Sequence, residues 1–174
     1  MHETAALLRH LSEVAHEVLS EDPVLILTGA RQAGKTTLVR VLATELGGTY
    51  VSLDEPDVLA AALADPMSVV RSGPEPIVID EFQRAPEVVL AVKSVVDRRR
   101  GPGRFILTGS TRFMSLPKLA ETLAGRATIL ELWPLSVGEA LQVRETFVDD
   151  LFSARGIPPG APRGDPMEDR KSVV

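Results

Sequence analysis

The 174-residue sequence predicts an α/β fold in which helices cover both faces of a parallel sheet. Short, mostly apolar segments rich in branched residues alternate along the chain with longer segments whose apolar residues recur every three or four positions. The short segments have the length and composition of strands that are buried on both faces. The longer segments have the periodicity of amphipathic helices, and the alternation of the two is typical of a parallel sheet.

Five strands are predicted in chain order, at residues 24–28, 50–53, 77–79, 104–108 and 128–132. Helical periodicity predicts helices at 5–19, 36–46, 57–64, 86–98, 115–124 and 136–143. Pro23 ends the first helix, because the residue before a proline avoids the helical conformation. The pair Gly47-Gly48 ends the second helix. At the end of the fifth strand, we expect Trp133 to pack against the fold, with stacking on a partner as the alternative.

The composition is that of one globular domain, with 44% hydrophobic residues, a formal charge of −5 and no cysteine. Disulfides and thiolate metal sites are therefore excluded. The longest apolar run, 58–64, is far shorter than the roughly 20 residues of a membrane-spanning helix, and we expect a cytoplasmic protein. The acidic charge does not indicate nucleic acid binding. We expect one domain at 1–144, and a flexible tail or truncated linker at 145–174, where glycine and proline are frequent.

The loop after the first predicted strand carries the pattern G-x-x-x-x-G-K-[ST], here GARQAGKT at residues 29–36. Glycines let successive backbone amides converge on phosphate oxygens, and the start of a helix adds its positive end. Lys35 would place a charge beside the β- and γ-phosphates, and the Thr36 hydroxyl could join a Mg²⁺ shell. The alternative, a glycine turn with an incidental lysine, fits the strand–loop–helix context less well. The predicted nucleotide-binding residues are Gly29, Ala30, Arg31, Gln32, Ala33, Gly34, Lys35, Thr36 and Thr37.

Two acidic residues follow the third predicted strand, at the sheet edge where the phosphate loop is also expected. Asp80 would hold Mg²⁺, usually through water, and Glu81 would orient or deprotonate an attacking water. An acidic pair alone is more often a solvated loop or a helix cap. Together with the loop, the second acid favours hydrolysis over phosphoryl transfer to a small molecule, because hydrolysis needs a group that activates water.

Five segments, TGARQAGKTTL, VSLD, IVIDEFQRAP, FILTGSTRF and LAGRATILELWPLSVGEAL, together closely resemble the AAA+-like ATP-binding proteins of the AAA-14 type over about residues 7–141. The resemblance implies ATP with Mg²⁺ and a three-layer P-loop NTPase fold with strand order 5-1-4-3-2. It also implies that Asp80-Glu81 is the Walker B pair and that a sensor hydroxyl lies in 108–110, where we expect Ser110. A serine/threonine turn that caps a helix is the alternative there.

The resemblance further suggests that Arg126 stabilises transition-state charge on a neighbouring subunit's γ-phosphate. The alternative is a surface arginine that binds backbone carbonyls. Family members are typically longer, with a C-terminal domain and a helical lid that 145–174 does not resemble. Two hypotheses therefore remain open: a Mg²⁺-dependent ATPase that acts on an attached domain, a homo-oligomer or a protein partner, and a nucleotide-sensing fragment with little turnover. No Asn-Lys-x-Asp string indicates guanine recognition.

Overall fold

The structure is a computed structural model that describes residues 10–110, 122–141 and 143. The chain separates into two compact units, Met1–Gln142 and Val143–Val174. The first unit contains all of the helices and strands reported below. The predicted tail 145–174 and most of the predicted helix 115–124 lie outside the described residues.

The core of the first unit is a five-stranded sheet in which every neighbouring pair of strands is parallel. The spatial order is β2-β3-β4-β1-β5. This order is the predicted 5-1-4-3-2 read from the other edge, so both the α/β fold class and the strand order are confirmed. The strands are β1 Val24–Gly29, β2 Thr49–Ser52, β3 Ile77–Asp80, β4 Phe105–Thr108 and β5 Ala127–Leu132.

The helices fall close to the predicted segments. They are α1 Leu11–Glu21, α2 Lys35–Glu45, α3 Pro56–Ala64, α4 Pro66–Val69, α5 Glu87–Arg98 and α6 Val137–Leu141, with a short 3₁₀ helix at Phe82–Arg84. The Asp65 side chain accepts a hydrogen bond from the Met67 amide at 3.0 Å and so caps α4. Within the described part of the chain, no helix has the length and apolar character needed to cross a membrane.

Alternate residues of each strand enter one of two apolar clusters, one on each face of the sheet. In β1, Val24 and Ile26 pack on the same side as the α5 valines, whereas Leu25 and Leu27 pack on the side of α1 and α2. This division follows from the two-residue side-chain period of a strand. It explains why the three central strands are apolar along most of their length, and it confirms the three layers.

Trp133 follows β5 and has 68% of its surface exposed. The expectation that it packs against the end of the fifth strand was therefore wrong. Strand β5 lies at one edge of the described sheet, where only one neighbouring strand borders it, and Pro134 follows Trp133 directly.

A buried arginine joins the amino-terminal end of β4 to the loop before β3. Arg104 is 5% exposed, and its guanidinium contacts the Glu75 carboxylate at 2.6 Å and the backbone oxygens of Val95 and Arg99. Hydrogen bonding from Arg104 lowers the pKa of the Glu75 carboxyl below its ordinary value, against a smaller opposing effect of burial. The charged form of Glu75 is therefore favoured by folding.

We predict that Glu75→Gln lowers the free energy of unfolding by about 1–3 kcal/mol at neutral pH, since it leaves a buried guanidinium without its charged partner. Because the pKa of Glu75 is lowered in the folded state, this contribution exists above the ordinary pKa of a glutamate and disappears as the pH falls through the folded value. Urea denaturation at neutral and acidic pH measures both effects. The exposed Glu17→Gln is the control, and an equal loss for the Glu75 variant at both pH values would contradict the prediction.

Candidate nucleotide-binding site

The loop between β1 and α2 has the backbone geometry of an anion-binding turn. Gly29 has a φ of +150°, and a Cβ built at this position would lie 2.2 Å from the Leu132 carbonyl oxygen, so the residue must be glycine. Gln32 and Gly34 also have positive φ angles, of 64° and 94°. Left-handed residues among right-handed ones turn backbone N–H groups into a concave surface that attracts anions, and here that surface adjoins the first turn of a helix.

Lys35 is the first residue of α2, and its side chain folds back over the loop. The ammonium donates hydrogen bonds to the backbone oxygens of Gly29 at 2.9 Å and Ala30 at 2.8 Å. Lys35 is 7% exposed, so these contacts hold one positive charge within the loop. Among the other predicted loop residues, Ala33 is buried, Gly34 is half-buried, and the exposed ones are Ala30, Arg31, Gln32, Thr36 and Thr37.

Asp80 ends β3 and faces the phosphate loop. Its carboxylate is 2% exposed and accepts hydrogen bonds from three hydroxyl groups. Oδ2 accepts from Thr36 at 2.9 Å and from Tyr50 at 2.7 Å, and Oδ1 accepts from Thr108. The structure therefore brings Thr36 and Asp80 together, as the sequence motifs require.

The donor set around Asp80 fits a magnesium ion. Mg²⁺ prefers oxygen ligands and is usually held by one or two carboxylates together with substrate phosphates and water. The Thr36 hydroxyl and the Asp80 carboxylate supply such oxygens next to the phosphate loop. Among the described residues, no group of three or more His, Cys, Asp or Glu side chains could hold a metal alone. The residues present suit an ion that is shared with bound phosphates.

Glu81 follows Asp80 in an unusual backbone conformation. Its φ of 57° and ψ of 42° are left-handed, which is uncommon for a residue with a side chain. Its backbone N–H donates to the Thr108 hydroxyl at 3.1 Å, and its carboxylate Oε2 accepts from the Gln83 amide nitrogen. The Gln83 Oε1 atom is buried with no hydrogen-bond partner in the described part of the chain. Glu81 is thus restrained at both its backbone and its side chain.

Thr108 supplies the third hydroxyl that contacts Asp80, and the role of Ser110 as the sensor hydroxyl stays a prediction. Thr108 is the last residue of β4 and is completely buried, whereas Ser110 is half-buried two residues further along the chain. The parallel register pairs Ile79 with Leu107 and so places the next residues, Asp80 and Thr108, side by side.

Tyr50 and Gln83 are site residues that the sequence reasoning missed. Tyr50 lies in β2 two residues before Ser52, which pairs with Asp80, so its side chain is on the same face of the sheet as the carboxylate. The Arg40 guanidinium lies 4.5 Å from the centre of the Tyr50 ring. Burial, and then the hydrogen bond to Asp80, raise the pKa of the Tyr50 phenol, so it remains a donor at neutral pH.

Arg126 does not join the other predicted site residues. It precedes β5 at the amino-terminal edge of the sheet, where it pairs with Asp97 of α5 and donates to the Ala124 carbonyl oxygen. Hydrogen bonding from Arg126, and then from Lys93, lowers the pKa of Asp97 to about 2. Register places the start of β5 beside Val24 and its end beside Gly29, so Arg126 is about 20 Å from the loop. A role for Arg126 toward a neighbouring subunit stays a prediction.

The chain is similar in sequence to two mycobacterial proteins. Two curated proteins that are described as uncharacterized, one from Mycobacterium tuberculosis and one from Mycobacterium bovis, are each 38% identical to this chain over 141 residues. The match covers 81% of this chain but 31% of each relative, so the chain spans about a third of their length.

Among solved structures, shikimate kinase from Acinetobacter baumannii, in complex with shikimate, is 21% identical, with a TM-score of 0.38. That match covers 76% of this chain and 66% of the kinase. A similarity at this level carries no inference about the ligands of this chain.

Residues 21–141, more than half of the chain, match the family AAA_14, which is described as an AAA domain. The matched region contains the phosphate loop, the Asp80-Glu81 pair and all five strands. The chain therefore belongs to the AAA domain family AAA_14.

Proposed function

We propose that this chain is a Mg²⁺-dependent ATP-binding domain that hydrolyses ATP at the carboxyl edge of its sheet. Membership of the AAA domain family supports nucleotide binding and the possibility of hydrolysis. The observation that carries the finer proposal is the 2.9 Å hydrogen bond from the Thr36 hydroxyl to the Asp80 carboxylate. It joins the first turn of the phosphate-binding helix to the acidic end of β3.

The triphosphate would bind in the loop 29–36. Backbone amides and the start of α2 would contact its oxygens, and Lys35 would exchange its bonds to the Gly29 and Ala30 carbonyls for the β- and γ-phosphates. Thr36 and Asp80 would hold Mg²⁺, Thr36 directly and Asp80 through water. The bound ion would neutralise charge on the β- and γ-phosphate oxygens.

Glu81 is the proposed group that orients the attacking water or accepts its proton. It is adjacent to Asp80, and Gln83 occupies one of its carboxylate oxygens, which leaves the other oxygen for a water molecule. A base that is itself oriented by a third group is a recurrent arrangement in catalysis. Thr108 contacts both the Asp80 carboxylate and the Glu81 amide. It would therefore hold these two acidic residues in fixed positions relative to each other.

The proposal also covers the identity of the nucleotide and the molecule on which the domain acts. ATP is proposed over GTP because the family supports it and because the sequence has no Asn-Lys-x-Asp string. The chain spans 31% of the length of its curated relatives, so the proposal concerns this domain and its direct recipient. We propose a protein partner or a second subunit as the recipient of the nucleotide-driven change.

We predict that Lys35→Ala weakens ATP binding by about 10- to 100-fold, because a charge-assisted hydrogen bond contributes roughly 1.5–3 kcal/mol. Isothermal titration calorimetry with ATP, ADP and GTP, each with and without Mg²⁺, measures the effect and the base selectivity together. Lys93→Ala removes an equivalent charge from the exposed side of α5 and serves as the control. An unchanged ATP affinity in the Lys35 variant would contradict the proposal that the triphosphate binds in the loop 29–36.

We predict that Glu81→Gln lowers the turnover number for ATP by about 100-fold or more and leaves the ATP dissociation constant almost unchanged, because general base catalysis contributes factors of this size. Phosphate release and equilibrium binding measure the two quantities on the same protein. Glu17→Gln is the control for loss of an exposed carboxylate. If the wild-type chain binds Mg²⁺ and ATP without measurable turnover, the ATPase hypothesis is wrong and the nucleotide-sensing hypothesis is supported.

A further inference from the structure

The two carboxylate oxygens of Asp80 have different neighbours. Oδ1 contacts the Thr108 hydroxyl, whereas Oδ2 accepts hydrogen bonds from both Thr36 and Tyr50. A hydroxyl has one hydrogen to donate, and its lone pairs remain available to a metal. Thr36 can therefore keep its bond to Asp80 and still offer an oxygen to Mg²⁺. Tyr50 supplies the second donor on the same carboxylate oxygen.

The Tyr50 ring is itself held by the helix that carries Thr36. The Arg40 guanidinium lies 4.5 Å from the ring centre, within the range of a cation–π contact. Thr36 and Arg40 are four residues apart in α2 and so lie on the same face of the helix. Thr36 contacts Asp80, and Arg40 contacts Tyr50, which donates to Asp80. The contacts Thr36–Asp80–Tyr50–Arg40 therefore form a closed connection between α2, β3 and β2.

Loss of the Tyr50 hydroxyl would leave Oδ2 with Thr36 as its remaining donor among the contacts described above. The terminal torsion of an aspartate side chain has a broad energy minimum, so a carboxylate with fewer contacts turns more easily. The Asp80 oxygen that faces Thr36 would then no longer be fixed in the direction that a shared ion needs. Groups that orient the ligands of a metal in this way typically change its affinity by 10- to 100-fold when they are removed.

We propose that Tyr50 is a positioning residue for the magnesium site, which acts by fixing Asp80 Oδ2 opposite Thr36. The inference rests on the proposed function and adds a residue to it. Tyr50 lies outside the phosphate-binding motif and, in this role, touches neither the nucleotide nor the ion. Its effect is confined to the part of nucleotide affinity that depends on Mg²⁺.

Tyr50→Phe tests the inference, because it removes the hydroxyl that donates to Asp80 and keeps the ring that lies beside Arg40. We expect the dissociation constant of ADP in the presence of Mg²⁺ to rise by about 10-fold. We expect the dissociation constant of ADP in a chelator to stay at the wild-type value. Calorimetric titration of the full chain measures both, with ADP as the probe so that turnover does not interfere.

Thr49→Val is the matched control. It removes one hydroxyl from the same strand, but that hydroxyl donates to the Pro74 carbonyl oxygen at 2.9 Å and not to Asp80. We expect it to leave the Mg²⁺-dependent part of the affinity unchanged. An equal loss for Tyr50→Phe and Thr49→Val would assign Tyr50 a general structural role and overturn the inference.

A second measurement uses the wild-type chain and does not depend on any variant folding. Tyr50 is the single tyrosine of the sequence, so tyrosine labelled with ¹³C in its ring gives the nuclear magnetic resonance signals of this residue alone. We expect those signals to shift when Mg²⁺ is added to the ADP-bound chain. Signals that stay in place while Mg²⁺ binds would overturn the inference.

The outcomes separate the inference from the proposed function. If ADP binding by the wild-type chain does not depend on Mg²⁺, the proposed function fails and the inference fails with it. If the wild-type chain depends on Mg²⁺ and Tyr50→Phe retains the same dependence, only the inference fails. A loss of affinity that is the same with Mg²⁺ and with chelator also overturns the inference, because it shows that Tyr50 acts on the fold.

Discussion

The site depends on one buried carboxylate. Asp80 is 2% exposed and is surrounded by hydroxyl groups from α2, β2 and β4. An ionised carboxylate is costly to bury unless hydrogen bonds replace its water, and here three hydroxyls do so. Because these donors come from three different elements, the position of Asp80 relative to the phosphate loop is set by the packing of the whole sheet and not by a local turn.

The two edges of the sheet carry different kinds of polar contact. At the carboxyl edge, hydroxyl groups of β2 and β4 contact Asp80 of β3, and Asp80 accepts a hydrogen bond from Thr36 of the phosphate loop. Glu81 takes a left-handed backbone conformation next to them. At the amino edge, Arg104 with Glu75 and Arg126 with Asp97 form ion pairs between elements. Ion pairs of that kind hold loops in place, whereas unusual backbone geometry beside buried polar groups is typical of a functional site.

The sequence was sufficient for those features that depend on local physics. The run 77–79 is apolar at every position, and 24–28 at every position except Thr28, which is typical of a strand covered on both faces. The glycines of the loop and its lysine identify an anion site without knowledge of the fold. Asp80 and Glu81 could be associated with that site because parallel strands end at a common edge. The strand order, by contrast, rested on the family resemblance.

The remaining site residues depend on tertiary register, which a single sequence does not reveal. Thr108 and Ser110 are equally plausible hydroxyls until β4 is aligned with β3. Tyr50 carries no motif, and only the pairing of β2 with β3 brings its hydroxyl to Asp80. The exposure of Trp133 likewise depends on where the chain goes after an edge strand.

A crystal structure of the chain with Mg²⁺ and a non-hydrolysable ATP analogue tests the central claim most directly. We expect the β- and γ-phosphates within the loop 29–36, with the ion beside the Thr36 hydroxyl and no more than one water molecule from Asp80. A nucleotide bound away from that loop, or an ion that contacts neither Thr36 nor the water shell of Asp80, would contradict it.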